Sequence, residues 1–516
     1  MKYIFLLLTL LAINFTAQAQ QPYWVIFTDK APHNGATKLV TEQALQNRQL
    51  LGLPAVQESD IPVNSTYLDL LKKEEVAIQG TSKWLNAAFV ELTPSQIISL
   101  KNQPFVAGIQ PAKGKFVPAA AQLDINPADH SMGLMQIKAP VINKAKLTGK
   151  GVAIGVIDAG FYGASKNKSL AHIFDEKRVK GARDYVNPDK KDHYNNQETG
   201  LDYHGTTVLE NIAGYNPDLR EQMGFAVNAN FYLARTDHGV KEWRGEEHYY
   251  VRALEWLDSM GVRLVNTSLG YATGFTDPAE NYKPADMDGK TSVISKAVQT
   301  ASDEKGMLII VAAGNEGLKT NWKIVSAPAD AAGVLSVGAT AFESWTKMGY
   351  SGIGPEALPY LKPDVSCYSL SGTSFSAPVI TGFAACLLEK KPDLSNKELI
   401  KILQQSGHLY PYGNNMLGYG VPQADVALQL LEGKKPAGKA QRIEAPGQSY
   451  TYKVKDKKQI AQNGGLVLFH KKNEKIVTLQ ETGELTKKGE VIVKRKNNAA
   501  RTTLAAGLEV IEIVWK

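Results

Sequence analysis

Over the middle of the chain, from Gly149 to about Gly433, apolar segments alternate with helical ones. Continuous apolar strands separated by helices favour a parallel sheet with helices on both faces. The sequence therefore predicts an α/β domain with a parallel sheet, whose ligands bind beyond the carboxyl ends of the strands. Strands are predicted at 152–157, 231–234, 264–265 and 307–312, and helices at 249–260 and 294–305.

The two ends of the chain have different patterns. The N-terminal part combines strands with helices and predicts a small α+β unit, followed by an exposed connector at 111–132. Short runs of alternating polarity beyond Gly433 predict a small β domain. We expect domains at 20–125, 126–432 and 433–516. In the two ends, strands are predicted at 23–27, 87–92, 105–109, 450–455, 490–494 and 508–515, and helices at 36–51 and 94–101.

Residues 1–19 have the pattern of a signal peptide. Lys2 precedes an apolar stretch at 4–15, and the small residues Ala17 and Ala19 suit a signal peptidase. The stretch is shorter than the roughly 20 residues of a membrane span, and no later segment is long enough. We expect an exported protein, secreted, periplasmic or at the cell surface, with no transmembrane segment. A retained anchor is the alternative.

The net charge of +7 is confined to the C-terminal region. From Lys434 to Lys516 there are 18 Lys and Arg against 8 Asp and Glu, whereas the rest of the chain has 40 against 43. A solvated lysine-rich surface is the preferred interpretation, and contact with an anionic cell surface is the alternative. We expect no nucleic-acid partner.

Cysteine usage indicates a fold without disulfides. Only Cys367 and Cys386 are present, and Cys386 lies within an apolar run, where a packed free thiol is expected.

Two candidate catalytic residues lie at the start or end of predicted elements. Asp158 directly follows the strand at 152–157, a position that is often a turn or cap. His204 precedes a helix marked by Val208 and Ile212 and is followed by Gly205. A carboxylate that orients an imidazole is the combination that activates a serine nucleophile.

Ser374 and Asn315 complete the set. Ser374 lies at the predicted N-terminus of a helix, where free N–H groups and the helix dipole favour negative charge, although an N-cap serine is a common alternative. Pro378 is expected within the first turn of this helix, where no hydrogen bond is lost. Asn315 follows the strand at 307–312, and its amide could donate to an oxyanion; a simple turn is the alternative.

Together these segments resemble the subtilase family in residues and in order, from about 132 to 431. The resemblance implies a subtilisin-like three-layer domain and a secreted serine endopeptidase that forms an acyl-enzyme. In this family His204 would take the proton of Ser374, Asp158 would orient His204, and Asn315 would hold the oxyanion. The S1 pocket, for a sizeable apolar P1 side chain, would be lined by Ser268, Leu269, Gly270, Ala312, Ala313 and Gly314.

The resemblance also concerns partners and cofactors. The N-terminal unit is similar to the family's inhibitory propeptide, which would be an intramolecular inhibitor cut off at about 113–132; a permanent domain is the alternative. Proteins or peptides would be the substrates. No cofactor is implied. The segment from Asp286 to Gly289 resembles a calcium loop without its remaining ligands, so we interpret it as a turn, with structural calcium as the alternative.

The chain departs from the family pattern at two places. Thr207 stands where a second His is frequent, and the loop at 366–370 is short and lacks the usual Ala-Pro-Gly. These departures concern the local geometry near Ser374 and the turnover. A catalytically inactive binding or adhesion protein of the same fold, with the basic β domain making the contact, is the alternative function, although none of the three triad residues is missing. An α/β-hydrolase is excluded, because Ser374 lacks the Gly-x-Ser-x-Gly context.

Overall fold

A computed structural model describes residues 20–30, 39–112, 127–195, 197–238, 245–272, 281–436 and 440–516. The predicted signal peptide and residues 113–126 of the predicted connector lie outside the described residues. The chain divides into two compact units. The first takes its described residues from Met1–Ala31 and Pro62–Ala112, and the second from Pro32–Ile61 and Lys113–Lys516.

Helices and strands are numbered along the chain. The α-helices are α1 (Glu42–Leu50), α2 (Ser65–Lys73), α3 (Pro94–Lys101), α4 (Pro127–Gln136), α5 (Ala139–Lys144), α6 (Ala171–Asp175), α7 (His204–Ala213), α8 (Gly245–Ser259), α9 (Val293–Asp303), α10 (Thr373–Lys390), α11 (Asn396–Gln405), α12 (Ala424–Leu431) and α13 (Lys457–Gln462). The strands are β1 (Gln21–Phe27), β2 (Ala77–Ser82), β3 (Ala87–Leu92), β4 (Val106–Pro111), β5 (Ala153–Asp158), β6 (Val179–Asp184), β7 (Tyr215–Asn216), β8 (Glu221–Gln222), β9 (Asn230–Arg235), β10 (Leu264–Thr267), β11 (Leu308–Ala312), β12 (Leu335–Thr340), β13 (Val365–Tyr368), β14 (Ala440–Ala445), β15 (Ser449–Lys453), β16 (Leu466–Lys471), β17 (Val477–Thr482), β18 (Glu490–Lys494), β19 (Arg501–Ala506) and β20 (Glu509–Trp515).

The first unit is an antiparallel sheet with two helices. Its strands have the order β2-β3-β1-β4, and α2 and α3 supply the connections. Val25, Val90 and Leu71 are buried in one apolar core. A capping box starts α3, because Thr93 and Gln96 each accept the other's backbone N–H. The predicted α+β unit is confirmed.

A seven-stranded parallel sheet forms the centre of the second unit. Its order is β13-β12-β11-β10-β5-β9-β6, and every neighbouring pair is parallel. Alternate residues of each strand point to opposite faces. In β5, Ile154 and Val156 pack in the core that includes α7 and α10, whereas a Cβ on Gly155 would meet Leu257 of α8. The predicted three-layer α/β fold is confirmed.

The C-terminal region is a β domain packed on the same unit. Five strands have the order β14-β20-β19-β16-β17, and β15 pairs with β18 in a separate ladder. Val467, Phe469 and Val477 of this domain share an apolar cluster with Leu409 and Leu417, which follow α11. The predicted β domain is confirmed, and it is attached through a common core.

Two local predictions require correction. The connector predicted at 111–132 does not continue to its end, because α4 begins at Pro127. A helix of this length depends on tertiary packing, which the buried Leu134 provides. The local sequence does not indicate that packing, so the helix was not predicted. The helix predicted at 36–51 is described from Glu42, and its first part lies mostly outside the described residues. Across the described ranges, we find no helix with the length and apolarity required to cross a membrane.

Candidate active site

Three neighbouring strands of the parallel sheet end at the candidate site. Asp158 is the last residue of β5, Ser268 follows β10, and Asn315 lies shortly after β11. Because β5, β10 and β11 are adjacent and parallel, their carboxyl ends meet at one edge. This is the edge at which sheets of this kind bind ligands.

Asp158 and His204 form a buried hydrogen-bonded pair. His204 is the first residue of α7, and its Nδ1 lies 2.7 Å from Asp158 Oδ1. The same oxygen accepts the backbone N–H of Ala159 at 2.8 Å. Both side chains are buried. The carboxylate thus fixes the ring at Nδ1 and leaves Nε2 as the nitrogen available for a further hydrogen bond.

Two glycines allow this close approach. A Cβ on Gly205 would lie 2.4 Å from the carbonyl oxygen of Gly160, and one on Gly160 would lie 2.6 Å from the Cα of Asp202. Both distances are too short for real atoms, so larger residues would push α7 away from the end of β5. Gly205, which directly follows His204, therefore has a steric role.

Ser374 is the second residue of α10 and is fully buried. Its hydroxyl donates to the carbonyl oxygen of Ser268 at 3.0 Å. Within the described chain, His204 Nε2 has no hydrogen-bond partner. The next residue, Phe375, places its ring 5.5 Å from the imidazole, centroid to centroid. The residue that follows Ser374 therefore packs against the imidazole, while the hydroxyl of Ser374 is turned toward Ser268.

The expectation for Pro378 is wrong. Pro378 is the sixth residue of α10, beyond its first turn, so the carbonyl of Ser374 loses its intrahelical donor. The hydroxyl of Ser268 donates to that carbonyl at 2.9 Å. Ser268 and Ser374 are thus linked by two reciprocal hydrogen bonds, and the gap in the helix is filled from the neighbouring strand end.

Asn315 is held by its amide oxygen. Asn315 Oδ1 accepts the backbone N–H and the hydroxyl of Thr373, each at 3.0 Å, and the hydroxyl of Thr373 also accepts the N–H of Gly314 at 3.0 Å. The amide nitrogen is then the free donor end of the side chain. Thr373, which sequence reasoning did not include, orients the amide.

The six residues expected to line S1 are buried at the ends of β10 and β11. A Cβ on Gly270 would lie 3.0 Å from Ser326 Cβ, and one on Gly314 would lie 2.7 Å from Ser326 Oγ. Gly314 also has φ +98°, which disfavours any side chain. Both segments thus lie against Ser326, a residue that no sequence signal identified.

Arg235, at the end of β9, forms a buried ionic network behind the Asp–His pair. Its Nε donates to the carbonyl of Ala159 at 3.0 Å. Its other nitrogens contact Asp184 at 3.0 Å, Glu198 at 2.9 Å and Asp202 at 3.0 Å. Burial lowers the pKa of Arg235, but the three carboxylates outweigh it and raise that pKa. For Glu198, burial acts to raise the pKa, but hydrogen bonds and charge from Arg235 and Lys190 outweigh it and lower the pKa to about 2.

This network joins the loops that carry the pair. Ala159 directly follows Asp158, and Asp202 precedes His204 by two residues. The sequence signal was only an arginine at a strand end, because its acidic partners come from two other segments, the end of β6 and the loop that contains Glu198 and Asp202.

In the segment from Asp286 to Gly289, which is predicted to be a turn, both carboxylates accept hydrogen bonds from nearby backbone N–H groups. Asp286 accepts the N–H of Lys283 at 2.7 Å, and Asp288 accepts those of Lys290 and Thr291 at 2.8 and 2.7 Å. In the part of the chain that is described, no group of three or more His, Cys, Asp or Glu side chains could hold a metal ion.

The two departures from the family pattern are both integrated into the fold. Thr207 is buried within α7. The short loop at 366–370 begins within β13. The hydroxyl of Ser369 donates to the carbonyl of Gly372 at 2.6 Å, and the hydroxyl of Tyr350 donates to the carbonyl of Ser369 at 2.6 Å. The loop is therefore fixed against the start of α10.

Comparisons with known proteins agree with this geometry. A family model described as the subtilase family matches residues 149–420, and one described as the peptidase S8 propeptide domain of Bacteroidota matches residues 22–124. Subtilisin NAT of Bacillus subtilis subsp. natto is 27% identical over 362 residues, covering 68% of this chain and 84% of that protein. The alkaline protease of Alkalihalobacillus alcalophilus is 24% identical over 378 residues, covering 71% and 86%.

Among solved structures, the fold is similar to that of the epidermin leader peptide processing serine protease EpiP from Staphylococcus aureus. The TM-score is 0.55 at 17% sequence identity, and the match covers 81% of this chain and all of that one. At this identity the likeness concerns the fold alone.

Proposed function

The chain belongs to the subtilase family and is a serine-type endopeptidase, and from this we propose that Asp158, His204 and Ser374 are its catalytic triad. We further propose that it is exported and that it cleaves proteins through an acyl-enzyme. The observation that carries the proposal is the 2.7 Å contact between Asp158 and His204, with Nε2 unpartnered in the described chain and the ring packed against Phe375, the residue after Ser374.

The proposed reaction begins with a rotation of the Ser374 hydroxyl from the carbonyl of Ser268 to His204 Nε2. The oxygen then attacks the scissile carbonyl carbon as its proton passes to Nε2. Asp158 holds the opposite N–H and stabilises the imidazolium. The imidazolium next protonates the leaving amine, and water, activated by the same nitrogen, hydrolyses the ester.

Asn315 and the backbone N–H of Ser374 are the proposed oxyanion donors. The anchoring of Asn315 Oδ1 by Thr373 supports this role, because it directs the NH₂ group away from the protein bonds already made. A donor fixed before the reaction needs no reorganisation when charge develops on the substrate oxygen. The ends of β10 and β11 would form the walls of S1 for an apolar P1 side chain.

The remaining proposals concern processing. The propeptide match supports an intramolecular inhibitor, and a protease has protein substrates. We propose a signal peptide at 1–19, an inhibitory prosegment at 20–125, a catalytic domain at 126–432 and a C-terminal domain at 433–516. We also propose that catalysis needs no cofactor.

Substitution of the nucleophile tests the proposal. We expect Ser374→Ala to abolish casein hydrolysis and labelling by a fluorophosphonate, because no other hydroxyl lies beside His204 in the proposed arrangement. Ser376→Ala is the matched control: its buried hydroxyl lies on the same helix and donates only to the carbonyl of Thr373. It should retain labelling. A wild-type protein that is never labelled after removal of its prosegment would favour the inactive alternative.

A further inference from the structure

Residues 39–61 belong to the second unit, although they lie within the span that matches the propeptide model. They are inserted between β1 and α2 of the first unit, and they contain α1 and a 3₁₀ helix at Glu58–Asp60. The segment is therefore one part of the expected prosegment that folds with the expected catalytic domain. We call it the 39–61 segment.

Four buried charges join this segment to the helices of the catalytic domain. Arg48 Nη1 and Nη2 contact the two oxygens of Asp60 at 2.6 and 3.0 Å, and Nη2 contacts Asp258 at 3.2 Å. Lys305 Nζ contacts Asp60 at 3.0 Å. The side chains are 2%, 0%, 8% and 0% exposed for Arg48, Asp60, Asp258 and Lys305. Each side of the contact contributes one cation and one carboxylate to these four charges, and in addition Glu304 Oε2 lies 3.9 Å from Lys305 Nζ.

Other contacts of the segment cap the ends of α8 and α9. The hydroxyl of Thr41 donates to the backbone carbonyl of Ser259 at 2.5 Å. The side-chain amide of Gln57 donates to the backbone carbonyl of Glu304 at 2.5 Å. The last carbonyls of a helix have no intrahelical partner, so the segment supplies donors that the helix ends lack. A Cβ on Gly306, which has φ +64°, would lie 2.6 Å from a methyl carbon of Leu51.

This attachment lies at the amino ends of the parallel strands, whereas the proposed triad lies at their carboxyl ends. Asp258 and Lys305 precede the first residues of β10 and β11, whereas Ser268 and Asn315 follow their last residues. Strands of four or five residues separate the two edges by on the order of 15 Å. The contact is therefore independent of the cleft that a prosegment would block.

We propose that the 39–61 segment is a second attachment point of the prosegment, which holds it on the catalytic domain after the connecting chain has been cut. The partner recognised by Asp258, Lys305 and the ends of α8 and α9 is the cleaved prosegment of this same chain. The proposal rests on the proposed processing at about 113–132.

Asp60 is the residue on which the attachment depends most. It accepts hydrogen bonds from both Arg48 and Lys305 and also from the N–H of Gln57 at 2.9 Å. Without its charge, the buried cations Arg48 and Lys305 are compensated less closely, by Asp258 and by the half-exposed Glu304, whose Oε2 lies 3.9 Å from Lys305 Nζ. An uncompensated buried charge is strongly destabilising, so the docked state should weaken far more than it would on loss of a surface ion pair.

The test uses the full chain with Ser374→Ala and a site-specific protease sequence introduced within 113–126. After the cut, dissociation of the N-terminal fragment is followed by size-exclusion chromatography at timed intervals. We expect the fragment to co-elute with the remainder, and we expect Asp60→Asn to release it at least 100-fold faster. The matched control is Asp303→Asn, at the end of α9, whose exposed partner Lys397 lies in α11. It should not change the release rate.

A second substitution separates the contact from folding. Lys305→Met combined with Asp60→Asn removes the surplus cation and should restore slow release in part, and each protein's melting temperature reports whether it is folded. Equal release rates for Asp60→Asn and its parent, or release of the fragment at once from the parent, would overturn the proposal. Since the assay needs no catalysis, it gives the same answer whether or not Ser374 is the nucleophile.

Discussion

Arg235 illustrates how a residue that never meets the substrate can determine the geometry of a site. Its guanidinium joins the carbonyl after Asp158 to Asp202, which shortly precedes His204. The planar fork of arginine suits several oxygens at fixed angles, which an ammonium group cannot match. The Asp–His pair is therefore held from behind by one side chain.

We expect Arg235→Met to lower kcat about 10- to 100-fold with little change in KM, because a small displacement of catalytic groups has a cost of this size. Arg235→Lys keeps the charge and should recover part of the loss. Steady-state kinetics on a chromogenic peptide measure both values, with the melting temperature as a control for folding. A variant that changes only its melting temperature would assign Arg235 a purely structural role.

The two thiols are expected to be inert in the folded protein. Burial raises the pKa of Cys367 to about 12 and also raises that of Cys386. Because the thiolate is the reactive form, neither should react with a disulfide reagent at pH 8 until the protein is unfolded, when two equivalents should react. Fast reaction of the native protein would contradict the described packing.

At the scale of elements, the 39–61 segment should respond to acid. Burial raises the pKa of Asp60, but Arg48 and Lys305 outweigh it and lower the pKa to about 2 from 3.8. Arg48 belongs to the same segment and stays with Asp60 after release, so the docked form gains the part of this lowering that Lys305 supplies, and that contribution is lost as the pH falls from 3.8 toward 2.

We therefore expect the cut prosegment to stay bound at about pH 5 and to dissociate between about pH 4 and 2. Size-exclusion chromatography of the cut Ser374→Ala chain over this range measures the effect, and circular dichroism at each pH shows whether the rest is folded. A steep loss of binding near pH 6 would indicate that a different group controls the contact.

The sequence predicts elements best where local signals agree with burial. The bounds of α3 and β18 match the prediction, because a capping box marks one and alternating polarity marks the other. β12 was not predicted, since Leu-Ser-Val-Gly-Ala-Thr has few large apolar residues, yet all six residues are buried by neighbouring strands. Such strands are specified by tertiary context, which a single sequence does not display.

The candidate site divides in the same way. Asp158, His204, Ser374 and Asn315 were proposed from short motifs, because each lies beside a strand or helix end that the local sequence marks. Thr373, Ser326 and Arg235 were not found, since their roles arise from contacts between residues far apart in the chain.

At the scale of the molecule, the C-terminal domain shares a core with the catalytic domain. Phe469 is fully buried in the cluster that also contains Leu409 and Leu417. The basic charge of the region does not prevent this packing, because its buried Lys471 pairs with Glu512 at 2.9 Å.

Phe469→Ala should lower the free energy of unfolding by about 3 to 5 kcal/mol, the usual cost of deleting a buried aromatic ring. We expect one cooperative transition for the catalytic and C-terminal domains in chemical denaturation, followed by fluorescence and circular dichroism. Two separate transitions, with only one of them shifted, would show that the domains are independent.

The identity of the nucleophile is the central claim, and mass-spectrometric mapping of the fluorophosphonate adduct tests it most directly. The wild-type protein, freed of its prosegment, is labelled, digested and sequenced by fragmentation. We expect a single adduct on Ser374, because His204, oriented by Asp158, activates only this hydroxyl. An adduct on any other serine, with Ser374 unmodified, would contradict the proposed triad.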